Sequence, residues 1–245
     1  FTFMSELDNL ISIVIPIYNE SESINLLVKE IINVMNSNSS YFELILINDG
    51  SNDSTLQILN NLSSKIKELK VISLRKNYGQ TAALAAGFDY SNGNIIITLD
   101  GDLQNDPNDI PKLIEYIQKG YDLVCGWRFK RKDKLIDRRI PSKIANKLIG
   151  SVTGINLHDY GCSLKAFKKE IINDIKLYGE LHRFIPVLAN IEGAKIKEVK
   201  VNHRSRKYGT SKYGIDRTFR VLMDLLTVWF MNKFLTRPMY VFGFI

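Results

Sequence analysis

Short apolar runs alternate with amphipathic segments over the first half of the chain. Two continuous stretches rich in β-branched residues, ISIVIPI at 11–17 and FELILIN at 42–48, are typical of buried strands. Three further runs, KVISL, NIIITL and YDLVCGW, predict strands that begin near residues 70, 94 and 121. Segments between them predict helices near 21–35, 53–62, 80–89 and 107–118. This alternation predicts an α/β fold with a mainly parallel sheet and helices on both faces.

Polar loops follow three of the predicted strands. YNE, NDGS and DGD come after the strands that start at residues 11, 42 and 94. Ligands bind beyond the carboxyl ends of the strands in sheets of this kind. The three loops are therefore predicted to meet at one edge of the sheet and to form a ligand site there.

The segment LDGDLQ, at 99–104, carries the clearest chemical signal. Asp100 and Asp102 flank a glycine, which lets the backbone approach a ligand closely. Two carboxylates and the Gln104 amide are oxygen donors that suit Mg²⁺ or Mn²⁺, ions that share their other positions with phosphates. An ordinary Asp-Gly turn is the alternative, since both residues are common in turns. The β-branched strand before the segment favours the metal site.

The pattern changes after Trp127. RFKRKDKLIDRR, at 128–139, is too charged for a core and predicts a mobile basic loop that leads into a helix. Residues 194–201 alternate like an edge strand, and the HRSRKYGTSKYG segment after them predicts a loop. A helix with a narrow polar stripe is predicted at 215–231, followed by an apolar tail.

This last helix is so apolar that it must be buried almost all round, in a core, a partner or a bilayer surface. No run reaches the roughly 18 apolar residues that a spanning helix needs. The abrupt apolar end predicts a chain cut where a membrane helix would begin; a native terminus packed on the domain is the alternative. The FTF before Met4 is interpreted as a remnant of cloning.

Charge is distributed unevenly along the chain. Residues 1–125 carry a net charge of −8 and residues 126–245 a net charge of +15. An acidic half can hold a cation, and a basic half suits phosphates or an anionic membrane surface. The basic residues surround one predicted phosphate site rather than an aromatic platform, so no nucleic-acid role is predicted. The two cysteines, Cys125 and Cys162, form no CxxC pair, which disfavours a zinc site or a disulfide framework.

Four segments of the first half occur together in one known family: IPIYNE, INDGSNDST, RKNYGQTAALAAGF and LDGDLQNDP. They resemble glycosyltransferase family 2, inverting and metal-dependent enzymes with the GT-A fold that use nucleotide sugars. Four later segments are DYGCSLKAF, GELHRFIP, HRSRKYGTSKYG and KFLTRPMYVFG. They narrow the resemblance to bacterial polyisoprenyl-phosphate (undecaprenyl-phosphate) glycosyltransferases, relatives of dolichol-phosphate mannose synthase.

The resemblance covers essentially everything from Ser12 onward and implies a domain organisation. Residues 1–10 are then a lead-in, 11–213 the GT-A domain, and 214–245 amphipathic helices at the membrane interface. Two transmembrane helices usually follow the RPxxxFG region in this family, and this chain lacks them. The apolar helix after Gly214 also favours self-association.

The resemblance also implies roles for individual residues. Contacts with the nucleotide sugar are expected from Pro16, Tyr18, Glu20, Ile47, Asp49, Asp100 and Gly101. The expected ligands of Mg²⁺ or Mn²⁺ are Asp100, Asp102 and Gln104. Catalytic roles are expected for Asp102, Asp159, Arg128, Arg206 and Lys212. Contacts with the acceptor phosphate are expected from Lys165, His182 and Arg183, with a surface helix start as the alternative for the last two.

The implied activity is inverting transfer of a sugar from a UDP-sugar, such as UDP-glucose, to undecaprenyl phosphate at the cytoplasmic face of a membrane. A lipid phosphate is already largely ionised at neutral pH, so a general base is less necessary than for a hydroxyl acceptor. The alternatives are transfer from GDP-mannose, a sugar or protein acceptor, and a non-catalytic nucleotide-sugar-binding protein.

Overall fold

The computed structural model describes residues 10–38, 40–129, 150, 154–208, 223–230, 234 and 243 of the 245-residue chain. Its strands are β1 (Ile11–Ile17), β2 (Phe42–Asn48), β3 (Leu69–Ser73), β4 (Ile95–Thr98), β5 (Leu123–Arg128), β6 (Lys165–Lys168) and β7 (Ile196–Val201). They form one sheet in the order β3-β2-β1-β4-β6-β5-β7. Every neighbouring pair is parallel except those that involve β6, which runs antiparallel to β4 and β5.

Helices connect these strands and cover both faces of the sheet. They are α1 (Ile24–Ser37), α2 (Thr55–Ser63), α3 (Gln80–Asp89), α4 (Ile110–Gln118), α5 (Lys169–Asp174) and α6 (Ile185–Ile191). Among the described residues, 3₁₀ turns lie at Pro107–Asp109 and Leu181–Arg183. Residues 223–230 are helical as well.

The central strands send alternate side chains into two separate cores. In β1, Ile13 and Ile15 belong to the core that includes apolar residues of α1 and α4. Val14 belongs to the core on the opposite face, which includes Ala83 and Phe88 of α3. Both faces of β1 are therefore covered, which explains why its sequence is continuously apolar rather than alternating. This confirms the predicted arrangement of a mainly parallel sheet between two layers of helices.

Helix α3 lies close against the sheet because of one glycine. A Cβ atom on Gly87 would lie 2.3 Å from Val14 Cγ1 and 2.8 Å from Ile47 Cδ1. Since contacts below 3 Å are prohibitive, only glycine allows this approach. The close packing fixes the first residue of the helix, Gln80, at the edge where the parallel strands end.

Strand β6 was not predicted from the sequence, and it changes the layout of that edge. It lies between β4 and β5 with Lys165 paired to both Thr98 and Cys125. Because β6 runs antiparallel, it begins at the edge where its parallel neighbours end. The segment before it, 154–164, is therefore brought to the same edge as the loops that follow β1, β2 and β4.

The structure covers the remaining predictions for the second half of the chain only in part. The alternating segment at 194–201 contains β7, which lies at the edge of the sheet as predicted. Most of the basic segment 128–139 lies outside the described residues. The helix predicted at 215–231 is described only at 223–230, where Leu225 and Val228 are buried. Within the described part of the chain, no helix is both long and apolar enough to cross a bilayer.

Candidate active site

The loops after β1 and β2 are joined side by side. Asn19 Nδ2 donates to Asn52 Oδ1 at 2.7 Å, and the Asn52 backbone N–H donates to Asn19 Oδ1 at 2.9 Å. The Asn19 N–H donates to Ser51 Oγ at 3.0 Å. Asn19 has a φ of +51°, a left-handed conformation that asparagine tolerates better than most residues. These reciprocal bonds join the loops after β1 and β2 into one unit, called the ledge below.

Asp49 connects this ledge to the loop before α3. Its side chain is buried, and its two oxygens accept the backbone N–H groups of Tyr78 at 2.7 Å and Gly79 at 2.9 Å. Burial raises the pKa of Asp49, although these two N–H groups oppose the rise. Asp49 thus positions the 78–79 turn in addition to lying at the strand end. Its expected contact with a nucleoside stays a prediction.

Gly50 makes this connection sterically feasible, and its replacement gives a first prediction. Its φ is +64°, and a Cβ atom there would lie 2.3 Å from the backbone C of Lys76 and 2.5 Å from the N of Asn77. We expect Gly50→Ala to lower the free energy of unfolding by about 3 kcal/mol, since backbone strain and a backbone clash add together. Urea denaturation measures the change.

The matched control is Gly120→Ala, because Gly120 has a φ of +92° with no atom within 4 Å of the added Cβ. It keeps the strain and removes the clash, so we expect a loss of about 1 kcal/mol. Equal losses in the two variants would contradict the clash between the 50 and 76–77 backbones.

The acidic loop after β4, residues 99–106, is held by two other segments and by its own Asn105. Gln80 Nε2 donates to Asp100 Oδ1 at 2.9 Å, so the amino end of α3 contacts the first carboxylate. The Asp100 N–H donates to Asn105 Oδ1 at 3.2 Å. The same Asn105 oxygen accepts the Ser163 hydroxyl at 2.8 Å, from the segment before β6. Asn105 was not singled out in the sequence, although it belongs to the acidic segment.

Asp102 concentrates negative charge in a buried position. Its Oδ1 accepts the Gln104 backbone N–H at 3.1 Å, and its Oδ2 forms an ion pair with Arg206 Nη2. Burial is the main cause that raises the pKa of Asp102 to about 6, and the nearby charges of Asp100 and Glu20 add to it. Gln104 and Arg206 oppose this rise without cancelling it.

This arrangement fits a divalent cation. A cation bound by Asp100 and Asp102 would offset the repulsion between the two carboxylates and favour the ionised form of Asp102, and carboxylates are donors that Mg²⁺ and Mn²⁺ prefer. Gly101 lies between them, and a Cβ atom there would lie 2.6 Å from Ile17 Cδ1, so the glycine lets the loop pack on β1 without moving that side chain. Among the residues that the structure describes, no three His, Cys, Asp or Glu side chains form a metal-binding group. Two carboxylates would therefore leave positions for water or ligand oxygens.

A strap formed by residues 202–206 crosses the acidic loop. The Arg204 N–H donates to the Gln104 carbonyl at 2.9 Å, and its guanidinium donates to Glu30 at 2.6 Å and Asp106 at 2.8 Å. These bonds tie the strap to α1 and to the acidic loop together. Arg206 follows two residues later and is thereby placed on Asp102. Sequence reasoning missed Arg204, whose only signal was the basic HRSR pattern.

Arg128 and Asp159 form a second charged pair at this edge. Arg128 Nε donates to Asp159 Oδ2 at 2.7 Å and Nη2 donates to Oδ1 at 2.8 Å, a bidentate arrangement. Burial alone would lower the pKa of Arg128, but the Asp159 carboxylate outweighs burial and raises it. Arg128 is the last residue of β5, and the loop expected to carry it toward an acceptor lies mostly at 130–149, outside the described residues.

The model of the family described as Glycosyl transferase family 2 matches residues 12–176. This chain belongs to glycosyltransferase family 2. The chain is 47% identical over 237 residues to a dodecaprenyl-phosphate galacturonate synthase of Rhizobium johnstonii, covering 95% of this chain and 70% of that one. It is 40% identical over 218 residues to an undecaprenyl-phosphate 4-deoxy-4-formamido-L-arabinose transferase of Pectobacterium atrosepticum, covering 89% and 66%. The chain thus spans about two thirds of the length of these relatives.

A solved structure supports the GT-A fold expected for the family. Glucosyl-3-phosphoglycerate synthase of Mycobacterium tuberculosis, crystallised with Mn²⁺, UDP and phosphoglyceric acid, matches with a TM-score of 0.68 at 18% identity. The match covers 92% of this chain and 81% of that one. The transferase therefore shares the fold of this synthase.

The transferase carries a further basic group beside α3. His182 is buried, and its Nδ1 lies 2.7 Å from the hydroxyl of Thr81, the residue after Gln80. Arg183 lies 3.7 Å from Glu180, with 11% of its side chain exposed. A simple surface helix start does not describe these two residues, since both are largely covered and the first contacts α3. Their role with an acceptor phosphate stays a prediction.

The other predicted site residues of the transferase are placed as follows. Lys165 is buried and donates through Nζ to the Cys162 carbonyl. Pro16 lies in β1, and Tyr18 is half-buried directly after that strand. Ile47 differs from the expectation, because its side chain is 0% exposed in the core beneath α3 and is not available to a nucleoside. Lys212 lies outside the described residues.

Proposed function

We propose that this transferase moves a sugar from a nucleotide sugar to a polyisoprenyl phosphate with inversion at the anomeric carbon. The observation that carries the proposal is that an acidic pair, Asp100 and Asp102, and two guanidinium groups, Arg128 and Arg206, lie at one edge of the sheet. A carboxylate pair suits a metal-bound pyrophosphate, and the arginines suit phosphate oxygens. One reaction that needs both is displacement of a nucleoside diphosphate by a phosphate.

On the donor side, Asp100, Asp102 and Gln104 would hold Mg²⁺ or Mn²⁺. When bound, the ion acts as a Lewis acid that neutralises the departing diphosphate. The ledge formed by the loops after β1 and β2 would receive the nucleoside, with Tyr18, Glu20 and Asp49 at its base. A Mycobacterium tuberculosis synthase of the same fold has been crystallised with Mn²⁺ and UDP, which supports these choices.

On the acceptor side, the phosphate itself is the nucleophile and needs no general base at neutral pH. Its negative charge must approach a second anion, so nearby cations lower the barrier. Arg128, Arg206 and Lys212 would provide these charges, with Lys165, His182 and Arg183 as further contacts. Asp159 would hold Arg128 or contact sugar hydroxyls. The names of the two bacterial relatives support dodecaprenyl- or undecaprenyl-phosphate as the acceptor.

The sequence and the names of the relatives point to different sugars. UDP-glucose is the donor expected from the sequence, whereas the relatives are named for galacturonate and 4-deoxy-4-formamido-L-arabinose. Their identities of 47% and 40% favour a uronate or a modified pentose at least as strongly as glucose. GDP-mannose transfer and simple nucleotide-sugar binding are the remaining alternatives.

A membrane-surface location fits the last described helix. Leu225 and Val228 pack against the domain, while Met223, Leu226 and Trp229 are 40%, 52% and 38% exposed. An apolar exposed face that includes a tryptophan is suited to the interfacial layer of a bilayer. We propose that residues 214–245 bring the site to the cytoplasmic face of a membrane, where a lipid phosphate is presented. A second copy of the chain could cover the same face.

The test is a transfer assay with radiolabelled UDP-glucose, UDP-galacturonate, UDP-4-deoxy-4-formamido-L-arabinose and GDP-mannose. Undecaprenyl phosphate and undecaprenol are compared as acceptors, each with Mn²⁺ and with EDTA. We expect label in the lipid phase only with the phosphate and the metal, and an inverted anomeric configuration by NMR. Label that never enters the lipid phase would overturn the acceptor. A shift in melting temperature with UDP but not GDP would assign the nucleotide.

A further inference from the structure

Glu198 is a largely buried carboxylate that contacts the backbone of Asp159, the partner of Arg128. It belongs to β7 and is paired in register with Cys125 of β5. Only 11% of its side chain is exposed. Its Oε1 accepts the backbone N–H of Asp159 at 2.9 Å, and its Oε2 accepts from His158 Nδ1 at 2.7 Å. Both oxygens of one carboxylate therefore hold consecutive residues of the segment before β6.

The neighbour of Asp159 is fixed from a second direction. The His158 ring stacks on the Trp127 ring with centroids 4.1 Å apart and planes 17° apart. Lys200, which pairs with Trp127 across the two strands, places its ammonium 5.4 Å from the centre of that ring. His158, with 64% of its side chain exposed, is thus anchored on two sides, by a hydrogen bond to Glu198 and by stacking on Trp127.

We propose that Glu198 is a positioning residue that acts through Asp159 to orient Arg128. This rests on the proposed function, in which Arg128 meets phosphate oxygens. Asp159 contacts Arg128 through both side-chain oxygens and also accepts the Arg128 backbone N–H at 3.3 Å. The direction of the guanidinium therefore depends on the orientation of Asp159. That orientation is set at the Asp159 backbone by Glu198.

Burying the Glu198 carboxylate destabilises the folded protein unless its hydrogen bonds compensate. Burying an ionised group without partners is strongly unfavourable, and an apolar side chain would satisfy the edge strand at less cost. The partners of Glu198 are 39 and 40 residues away in sequence and belong to the site edge, not to β7. The two hydrogen bonds of Glu198 therefore stabilise the position of the 158–159 turn.

The experiment compares Glu198→Ala with Glu198→Gln. We expect kcat to fall about 10–100-fold in the alanine variant, with the KM for the nucleotide sugar and the Mn²⁺ affinity unchanged within about twofold. The glutamine variant keeps an oxygen that accepts the Asp159 N–H and should retain most of kcat. A loss that falls equally on kcat, KM and metal affinity would instead indicate a general structural role and overturn the proposal.

A double-mutant cycle with Asp159→Ala isolates the path of the effect. If Glu198 acts through Asp159, then Glu198→Ala has no further effect on kcat once Asp159 is alanine. Independent losses that multiply would overturn the proposal. The cycle compares kcat values. Each kcat is calculated from the concentration of active sites, measured by UDP titration, so that unfolded protein does not lower it.

A readout without substrates separates this proposal from the proposed function. In a Trp229→Phe background, Trp127 is the single tryptophan of the chain. We expect its emission to shift in Glu198→Ala and to stay unchanged in Glu198→Gln, because only the first releases His158 from the ring. An unchanged emission in both would overturn the proposal even if lipid transfer occurred. Absence of lipid product with a shifted emission would overturn only the acceptor assignment.

Discussion

Replacing Asp102 with alanine is expected to lower kcat/KM for sugar transfer by about 10³-fold or more at saturating Mn²⁺. Asp102 lies at the centre of the acidic loop, next to Asp100 and under Arg206. Its loss removes one of two carboxylates available to the ion and releases the arginine from its resting position. The transfer assay measures the rate, and manganese EPR measures the affinity for the ion.

The matched control is Asp53→Asn, which removes a carboxylate from the neighbouring loop. Asp53 is exposed, accepts the Thr55 backbone N–H at 3.0 Å and also hydrogen-bonds Ser21, so its contacts join the starts of α2 and α1 and do not involve the acidic loop. We expect less than a twofold change in Mn²⁺ affinity from this substitution. Undiminished turnover in Asp102→Ala would refute the assignment of the metal to the acidic loop.

Asp102 also makes the protein's stability depend on pH in a definite direction. Its pKa is about 6 in the folded protein against an ordinary value of 3.8, so ionising it disfavours the folded state. Its contribution therefore weakens the fold as pH rises from about 4 to about 7. We expect Asp102→Asn to raise the melting temperature by a few degrees at pH 7.5 and by less at pH 4.5. An equal rise at both values would contradict the cause.

The second large effect concerns stability at the Arg128–Asp159 pair. We expect Arg128→Ala to lower the free energy of unfolding by about 3 kcal/mol, because it leaves the Asp159 carboxylate, 6% exposed, without its partner. Replacing both residues, as Arg128→Met with Asp159→Leu, should recover much of this loss. All of these variants should lose sugar transfer. The double variant would therefore recover stability without recovering activity.

Urea denaturation monitored by circular dichroism measures these differences. The comparison pair is Glu115 of α4 and Lys119, the residue that follows this helix, with more than half of each side chain exposed. Removing Lys119 should leave the unfolding free energy essentially unchanged, because an exposed ion pair is screened by water. A double variant as unstable as Arg128→Ala would show that shape, not charge, determines the loss.

The first five strands could be predicted from the sequence because each is a continuous apolar run between polar loops. β1, β2 and α3 have the predicted boundaries, and the others agree within a few residues. β6 was missed because KAFK is four residues long and half lysine, so neither length nor hydrophobicity identifies it. Its antiparallel direction depends on neighbours that are distant in the chain.

The acidic loop could be predicted as well, since its carboxylates are adjacent in sequence to a strand end. Arg204 and Glu198 could not, because their partners Asp106 and Asp159 are 98 and 39 residues away. Ile47 was assigned to the nucleoside by resemblance, yet it shares a face of β2 with Ile45 and both point beneath α3. Position at the end of a strand does not decide which face a side chain occupies.

The reversed strand β6 has a consequence for how the two substrates can be altered separately. The three loops proposed to bind the donor follow parallel strands, whereas the segment that carries Asp159 precedes β6 and enters the sheet from the site edge. Insertions before Lys165 therefore lengthen one wall of the site without shifting the register of β1, β2 or β4. Laboratory exchange of this segment between family members would test whether it determines the acceptor preference while the loops after β1, β2 and β4 stay unchanged.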